Sequence, residues 1–415
     1  MFSHMAIRDK ELVSVHQETR SKVGIFSMTL LSMAALGISP SLALIMAAFP
    51  KAGASEVQML TSIPNLMAIF ASLVVAKLAN VFPRKAIALA GPVFVLAGGV
   101  LPLAFHESLP FLLVCSAILG VGVGFISNIT QVLINDLVAP ERRQAAMAQN
   151  TIFVNAGAIV LTAAGGALSV SGWVNNYLVY VIALPVLLLV ALLIPMDRAI
   201  EADVPEAPSG AEESPKGGLS KTVLAVAASI LLFNCFYSIF TNNIGTIIIA
   251  GGIGDSALVG TIISVSMVGG LVCGLVLGKI VHLFQKYSLA VAFALYAISM
   301  AAIVLVPSVA VCYVASFVIG CAMTIVFAQC PFLISLCCTP LTMPMGMAAY
   351  SVGSSIGGFV SPVVTNALAG GLLSGTATDC FVVGAVASVL VFVVLAVTRF
   401  QAKLIDRAFG TRAAE

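Results

Sequence analysis

The sequence predicts an all-α polytopic membrane protein with twelve transmembrane helices in two pseudo-symmetric six-helix bundles. Three observations support this fold class: the hydrophobic content, the recurrence of long apolar runs and the placement of the charges. Hydrophobic residues make up 60% of the 415 residues, against about 45–50% in a typical soluble domain. The mean hydropathy is +1.12, and charged residues contribute only 9%. This composition indicates a chain that is largely embedded in lipid.

Twelve apolar runs recur along the chain, and each is long enough to cross a hydrocarbon core of about 30 Å as an α-helix. Helix is the required conformation, because lipid offers backbone amides no partner and the runs lack the alternation of barrel strands. The first six predicted helices are 24–49, 57–79, 86–105, 110–135, 145–170 and 174–195. The last six are 222–250, 257–280, 288–306, 309–336, 343–369 and 380–398.

The placement of the basic residues predicts the orientation of these helices. When successive loops are assigned alternately to the two membrane faces, all 19 lysine and arginine residues except Lys51 fall on one face. Cytoplasmic loops carry an excess of Lys and Arg, so we expect both termini to be cytoplasmic. The sequence therefore predicts a multi-pass protein of the plasma membrane with cytoplasmic tails at 1–23 and 400–415.

A polar segment at 197–221 separates six predicted helices from six. It is rich in Pro, Gly, Ser and Glu, which is typical of a flexible linker. We expect it to connect an N-terminal six-helix bundle, 24–196, to a C-terminal six-helix bundle, 222–399.

The two predicted bundles also resemble each other in sequence. The basic turn AKLANVFPRK at 76–85 has the same rhythm as GKIVHLFQKY at 278–287, an offset of 202 residues. At an offset of 200, further pairs align: Gly120 with Gly320, Pro140 with Pro340, Met147 with Met347 and Gly157 with Gly357. A parallel repeat of six plus six helices is an architecture of secondary transporters.

Two segments of the basic face carry a family resemblance. The turn after predicted helix 2 is similar to a G-x-L-A-D-R-x-G-R-K-like signature, matching it at Leu78, Ala79, Arg84 and Lys85 and departing from it at Ala76, Asn80, Val81 and Pro83. The segment NDLVAPERRQAAMA after predicted helix 4 is similar to an acidic residue followed by P-x-x-R-G-x-A-x-G, with matches at Asp136, Pro140 and Arg143 and with Gln144 in place of the glycine. With these motifs and its repeat, the chain resembles the major facilitator superfamily.

The resemblance implies a transporter that works by alternating access, in which Arg84 and Asp136 form a cytoplasmic latch of the outward-open state. The gating candidates in the two turns are Lys77, Arg84, Lys85, Asp136 and Arg143. Because Asn80 and Val81 replace charged residues of the signature, we expect a weaker or differently built latch. The alternative is that the basic turns only fix the topology.

The predicted membrane interior holds no acidic, basic or histidine residue. All 17 acidic residues and all four histidines fall in tails, linker or loop edges, whereas proton relays and counter-ions normally appear as intramembrane ionisable residues. Antiporter motifs of the resembled family are also missing, since Ser116 stands where they place an arginine. We therefore expect a substrate recognised by uncharged groups, with proton coupling through Asp136 as the alternative.

Polar side chains within the helices are the candidate binding residues. Amide, hydroxyl and tyrosine side chains at spacings of three and four share one helix face. The substrate-binding candidates are Asn128, Gln131, Asn155, Asn234, Tyr237, Thr241, Asn242 and Gln329. Interhelical packing is the alternative role for such residues, and it is the role we expect for the serines of predicted helix 11, which are Ser351, Ser354, Ser355 and Ser361.

Together these features predict a permease that moves a small neutral or amphipathic solute. Its partners are a small-molecule substrate and the lipid bilayer, without nucleic acid, and we expect the monomer to function. The nine cysteines show no metal-ligand spacing, so neither metal nor cofactor is expected, and the ionisable residues do not form the catalytic cluster of an enzyme. The alternatives are a proton-coupled small-molecule exporter and a non-transporting membrane receptor or scaffold.

Overall fold

The computed structural model describes residues 18–78, 82–138, 140–195, 221–338 and 342–410. Within these ranges the regular secondary structure is entirely helical, and twelve helices are long and apolar enough to cross a membrane. This confirms the predicted fold class. The predicted linker 197–221 lies outside the described residues except for Lys221, as do residues 1–17 and 411–415 of the predicted tails.

Thirteen helices are named here in chain order. The first six are α1 (Glu18–Ala48), α2 (Ala54–Leu78), α3 (Arg84–Ala104), α4 (Leu109–Leu137), α5 (Pro140–Ser169) and α6 (Trp173–Leu193). The next six are α7 (Lys221–Ala250), α8 (Ser256–Phe284), α9 (Ser288–Leu305), α10 (Val309–Cys337), α11 (Met343–Leu372) and α12 (Ala377–Thr398). A short helix, α13 (Phe400–Gly410), follows them.

Both predicted tails contribute helix that the sequence did not predict. Helix α1 already includes Glu18, whose carboxylate pairs with Lys22 one turn later at 2.6 Å, an i,i+4 contact that favours helix. At the other end, Arg399 adopts the left-handed conformation (φ 50°) and ends α12. The chain then forms α13, which buries Gln401 and Leu404 against the bundle. An amphipathic helix therefore occupies much of the predicted C-terminal tail.

Each set of six helices encloses its own apolar core. One core is formed between residues 25 and 194, where Tyr180 is fully buried. The other lies between residues 223 and 404 around Phe233, and Ala158 of α5 joins it from the first set. We call the two sets the N half and the C half.

The internal repeat is visible in how glycines pack. At each repeated glycine a Cβ atom would overlap a neighbouring helix, so the two helices approach closely only because the side chain is absent. The contacts correspond between the halves: Gly120 with Pro64, Gly320 with Ser266, Gly157 with Leu30 and Gly357 with Leu231. Glycine therefore allows close approach in equivalent helix pairs of the two halves. These pairs are α2–α4 and α1–α5 in one half, and α8–α10 and α7–α11 in the other.

The middle of α1 is irregular and is held by α6. Residues 34–41 form a 3-10 helix that contains a proline, which lacks the N–H of a normal helical turn. The Asn176 amide donates to the Gly37 carbonyl oxygen at 2.9 Å, and the Tyr180 hydroxyl donates to the Ala34 carbonyl oxygen at 2.7 Å. These contacts satisfy carbonyl groups that lipid could not.

The two ends of the bundle differ in how the halves meet. The basic end carries the turns between α2 and α3, α4 and α5, α8 and α9, and α10 and α11; the opposite end carries the other turns. The halves pack through α2 with α11 and through α5 with α8. The Thr162–Ser264 hydroxyl contact of 2.8 Å and the Ser256–Gly166 contact of 3.2 Å both lie towards the opposite end. Polar contacts between the halves are therefore concentrated there.

Candidate functional site

A central cavity of about 220 Å³ lies between the two halves. Helices α1, α2 and α4 line it from the N half, and α7, α8, α10 and α11 line it from the C half. Its polar lining consists of Ser32, Thr61, Ser62, Asn65, Asn234, Tyr237, Ser238, Thr241, Asn242, Ser354 and Ser355. Its apolar lining includes Met33, Leu36, Val123, Met267, Met323 and Phe327.

The chemistry of this cavity is uncharged. Among the described residues that line it there is no carboxylate, ammonium, guanidinium or imidazole group. Hydroxyl and amide groups alternate with aliphatic, thioether and aromatic surface. Such a lining can hydrogen-bond a solute and cover its apolar parts, but it offers no counter-ion to a charged one.

Helix α7 contributes more polar residues to the cavity lining than any other helix. Asn234, Ser238 and Thr241 follow one another at spacings of four and three, so they share a face, while Phe233 and Phe240 on the other side are fully buried in the C-half core. The amphipathic split places the polar stripe on the central cavity.

Several of these side chains are oriented by hydrogen bonds. The Asn234 amide donates to Ser354 Oγ of α11 at 2.8 Å, and Thr61 of α2 donates to Asn242 Oδ1 at 2.8 Å. The Tyr237 hydroxyl is buried beside Ser266, yet it makes no hydrogen bond of normal geometry within the described part of the chain. The Tyr237 hydroxyl therefore faces Ser266 in the C-half core.

Four of the eight predicted binding residues line this cavity: Asn234, Tyr237, Thr241 and Asn242. The structure gives the other four different surroundings. Gln131 is exposed on the face of α4 that continues from Val123 towards the basic end. The Asn155 amide donates to the Thr151 carbonyl oxygen of its own helix at 2.9 Å.

Asn128 and Gln329 connect helices within one half. The Asn128 amide donates to Ser72 Oγ of α2 at 2.5 Å. Gln329 is buried, and its Oε1 accepts a hydrogen bond from Gln401 of α13 at 3.1 Å. Neither side chain lines the cavity, and both form hydrogen bonds between neighbouring helices instead.

The serines of α11 were expected to pack, and two of them make hydrogen bonds to α7: Ser354 accepts from the Asn234 amide at 2.8 Å, and Ser361 donates to the Cys235 carbonyl oxygen at 2.7 Å. Ser354 and Ser355 also line the cavity, which the sequence did not predict. Sequence reasoning also missed Ser32 of α1 and Thr61 of α2. Helical spacing could have indicated that Ser354 and Ser355 face the cavity, because they lie one turn before Gly358, which lines the same cavity.

At the basic end, Arg84 of α3 forms an ion pair with Asp136 of α4. Both residues belong to the N half, so the pair joins two turns of one half and does not bridge the halves. The guanidinium Nε of Arg143 donates to the Val138 carbonyl oxygen at 3.1 Å. Lys85 is half-buried, and the side chain of Lys77 lies outside the described residues.

The C half has its own ion pair at the basic end. Lys286, which corresponds to Arg84 at the repeat offset, pairs with Asp406 of α13. In addition, Gln401 of α13 accepts from the backbone N–H of Leu289 at 2.9 Å and donates to Ser288 Oγ at 2.8 Å. Helix α13 therefore secures the start of α9 in the C half.

At the opposite end, uncharged side chains of α2 contact α7 and α11 across the two halves. The Gln58 amide donates to Asn243 Oδ1 at 2.9 Å and accepts from the Asn366 amide at 2.9 Å. Ser55 Oγ donates to the Pro362 carbonyl oxygen at 3.2 Å. These side chains were not among the sequence-predicted site residues.

Comparison with known proteins places this architecture in a family. The model of the Major Facilitator Superfamily matches residues 24–335, which is most of the chain, so the protein belongs to this superfamily. A search of curated sequences finds no match. Membership of this superfamily makes the chain a secondary transporter and not an enzyme, and its described residues include twelve helices long and apolar enough to span a membrane.

Solved structures with the same fold are transporters of low sequence identity. A bacterial homologue of the human lysosomal transporter Spinster, inward-facing and unoccupied, is 14% identical with a TM-score of 0.69, over 95% of this chain and 98% of that one. The nucleoside transporter NupG is 11% identical with a TM-score of 0.75, over 91% and 99%. A D-xylose–proton symporter is 15% identical with a TM-score of 0.66, over 91% and 96%.

Proposed function

We propose that this transporter moves a small neutral or amphipathic solute through the central cavity by alternating access. The observation that carries the proposal is the lining of that cavity, which comes from both halves and consists of hydroxyl, amide and apolar groups. The cavity of about 220 Å³ is below the range of about 300–1,000 Å³ typical of ligand pockets, which favours a small solute. The Asn234 amide and the Thr241 hydroxyl of the lining are the proposed hydrogen-bonding groups.

The same proposal assigns an orientation. The basic end faces the cytoplasm with both termini, because of the excess of Lys and Arg there, and the membrane is the plasma membrane. The described polar contacts between the halves lie towards the opposite, outer end, which supports an inward-facing arrangement of this structure. The ion pair of Arg84 with Asp136 is formed in this inward-facing arrangement, so we propose that it holds the basic turn of the N half in shape and does not latch the outward-open state. The monomer is the proposed functional unit.

A thermal-shift screen tests the substrate class. The purified protein is heated with neutral, anionic and cationic small molecules at two pH values. A ligand at a hundredfold excess over its Kd stabilises by about 2.7 kcal/mol. We expect stabilisation by neutral or amphipathic compounds, unchanged by pH.

Two alanine variants locate the binding. Asn234→Ala removes an amide from the cavity and is expected to abolish the stabilisation. Asn155→Ala is the matched control, because that amide bonds only within its own helix, and it is expected to retain the stabilisation. Stabilisation by cations alone that vanishes in Asp136→Asn would instead support a proton-coupled exporter and would contradict the uncharged site.

A further inference from the structure

A second cavity lies outside the central one, and a single layer of uncharged side chains separates them. The outer cavity measures about 650 Å³ and is lined by Gln58, Asn243 and Asn366 at its inner side. One turn further along α2, Thr61 lines the central cavity, as does Asn242, the neighbour of Asn243 on α7. We call these five residues the amide layer.

The amide layer is bonded across the boundary between the halves. Gln58 of the N half donates to Asn243 at 2.9 Å and accepts from Asn366 at 2.9 Å, and Thr61 donates to Asn242 at 2.8 Å. Gln58 is 1% exposed and Asn243 is 4% exposed. Because water is largely excluded from these bonds, each has more weight than an equivalent bond at the surface.

Most members of the layer also have a contact within their own half. Asn243 Nδ2 donates to the Ile239 carbonyl oxygen at 3.1 Å, and the Thr61 hydroxyl lies 2.9 Å from the Gln58 carbonyl oxygen. Asn366 Oδ1 accepts from Cys380 Sγ at 3.3 Å. The layer can therefore part along the boundary while these side chains stay anchored, and the outer cavity gives the freed amides access to water.

We propose that the amide layer is the outer gate of the transport pathway, and that its bonds across the halves break and re-form in each transport cycle. This inference rests on the proposed function for its direction. When the layer parts, Gln58, Asn243 and Asn366 become the first hydrogen-bonding groups that an uncharged solute meets on the way to the central cavity. Because the layer carries no charge, its closure is independent of pH and little affected by salt.

The test measures access to the central cavity from outside intact cells. Ser238→Cys places a thiol in the central lining, and a membrane-impermeant maleimide is added outside; the protein without this substitution gives the background of the native cysteines. We expect slow labelling of the reporter, and labelling at least about tenfold faster in Gln58→Leu, because losing buried hydrogen bonds shifts a two-state equilibrium by about that factor.

Asn176→Leu is the matched control. Asn176 is also a buried amide with two hydrogen bonds, to the Gly37 carbonyl oxygen and Ser41 Oγ, but both lie within the N half. The control is expected to leave the labelling rate unchanged. If Gln58→Leu does not fold, Asn366→Ala is used instead, since that side chain is only half-buried.

Two results would overturn the gate. One is an unchanged labelling rate in folded Gln58→Leu and Asn366→Ala; the other is fast labelling of the reporter while the layer is intact. The assay needs no solute, so it separates this inference from the proposed function. Faster labelling in Gln58→Leu supports the gate even if no neutral compound stabilises the protein in the thermal-shift screen.

Discussion

The two ends of the bundle are held by different chemistry. At the basic end the described ion pairs lie within a half, as Arg84 with Asp136 does in the N half and Lys286 with Asp406 in the C half. At the opposite end neutral amides join the halves. In the proposed mechanism, charge pairs would therefore stabilise each half as a unit, and uncharged bonds would lie where the halves separate.

The two halves also reach the same arrangement by different routes. Arg84 and Lys286 are equivalent in the internal repeat, but the C half carries Leu336 where the N half carries Asp136, at the offset of 200 that aligns Gly120 with Gly320 and Pro140 with Pro340. The acidic partner comes instead from Asp406 of α13. The basic residue of the repeated turn is thus paired with a carboxylate of α4 in the N half and with a carboxylate of the additional helix α13 in the C half.

The largest predicted effect is at the opposite end, in Gln58→Glu. An ionised carboxylate there has no proton to donate to Asn243 Oδ1 and would be buried without a counter-ion among the layer, which disfavours the closed layer by about 3–5 kcal/mol. Protonation restores the donor. Closure should therefore be present at low pH and lost as the pH rises through the pKa of the new carboxyl group.

Labelling of the Ser238→Cys reporter from outside, measured between about pH 5 and 8, checks this prediction. The rate should rise with pH in Gln58→Glu, because the closed layer requires the neutral side chain. In Gln58→Leu it should be high at every pH. A pH-independent rate in Gln58→Glu would contradict the placement of Gln58 in a dry contact between the halves.

An intermediate effect is expected for Gln401→Leu at the basic end of the C half. The change leaves the Leu289 N–H and Gln329 without a buried partner, and each such loss destabilises by about 1–3 kcal/mol. Thermal unfolding measures it. Gln329→Leu should give a smaller loss, and the double variant should lose less than the sum, because the two side chains share one contact.

Labelling from outside gives the control for this variant. It should be unchanged in Gln401→Leu, because the described hydrogen bonds of Gln401 lie at the basic end of the C half. Fast labelling would show that the two ends are not separable. Additive losses in the double variant would argue against a shared Gln329–Gln401 contact.

The smallest effects are expected for the ion pairs. Asp136→Asn removes a pair whose members are each 28% exposed, and such partly exposed pairs contribute about 0–1 kcal/mol. Asp406→Asn should cost less, since Asp406 is 60% exposed. Unfolding in low and high salt checks both, because the difference from the parent protein should shrink as salt screens the pair. A loss that salt does not change would mean that the pairs act through packing.

The sequence predicts the fold well because the fold follows from local and repeated patterns. The twelve apolar runs are required by the bilayer, and the close contacts of Gly157 and Gly357 follow from a repeat that is visible in the residues. The polar stripe of α7 could also be predicted from the sequence, since helical spacing alone puts Asn234 and Thr241 on one face.

The amide layer could not be predicted from the sequence in this way. Gln58 contacts Asn243 across 185 residues and Asn366 across 308, so the contacts depend on how the two halves dock and not on any local pattern. The same limit explains Asn128 and Gln329. An intramembrane amide needs a partner, but the sequence does not say whether a solute or a neighbouring helix such as α13 supplies it.

The most direct test of alternating access is to measure both ends in one protein by distances between spin labels. In a background without native cysteines, one pair of labels at Lys51 and Ser374 reports the outer end, and another at Gln149 and Met345 reports the basic end; all four positions are exposed. The account predicts that Gln58→Leu lengthens the outer distance and shortens the basic one. A longer outer distance with an unchanged or longer basic distance would contradict a rocking of the two halves about the central cavity.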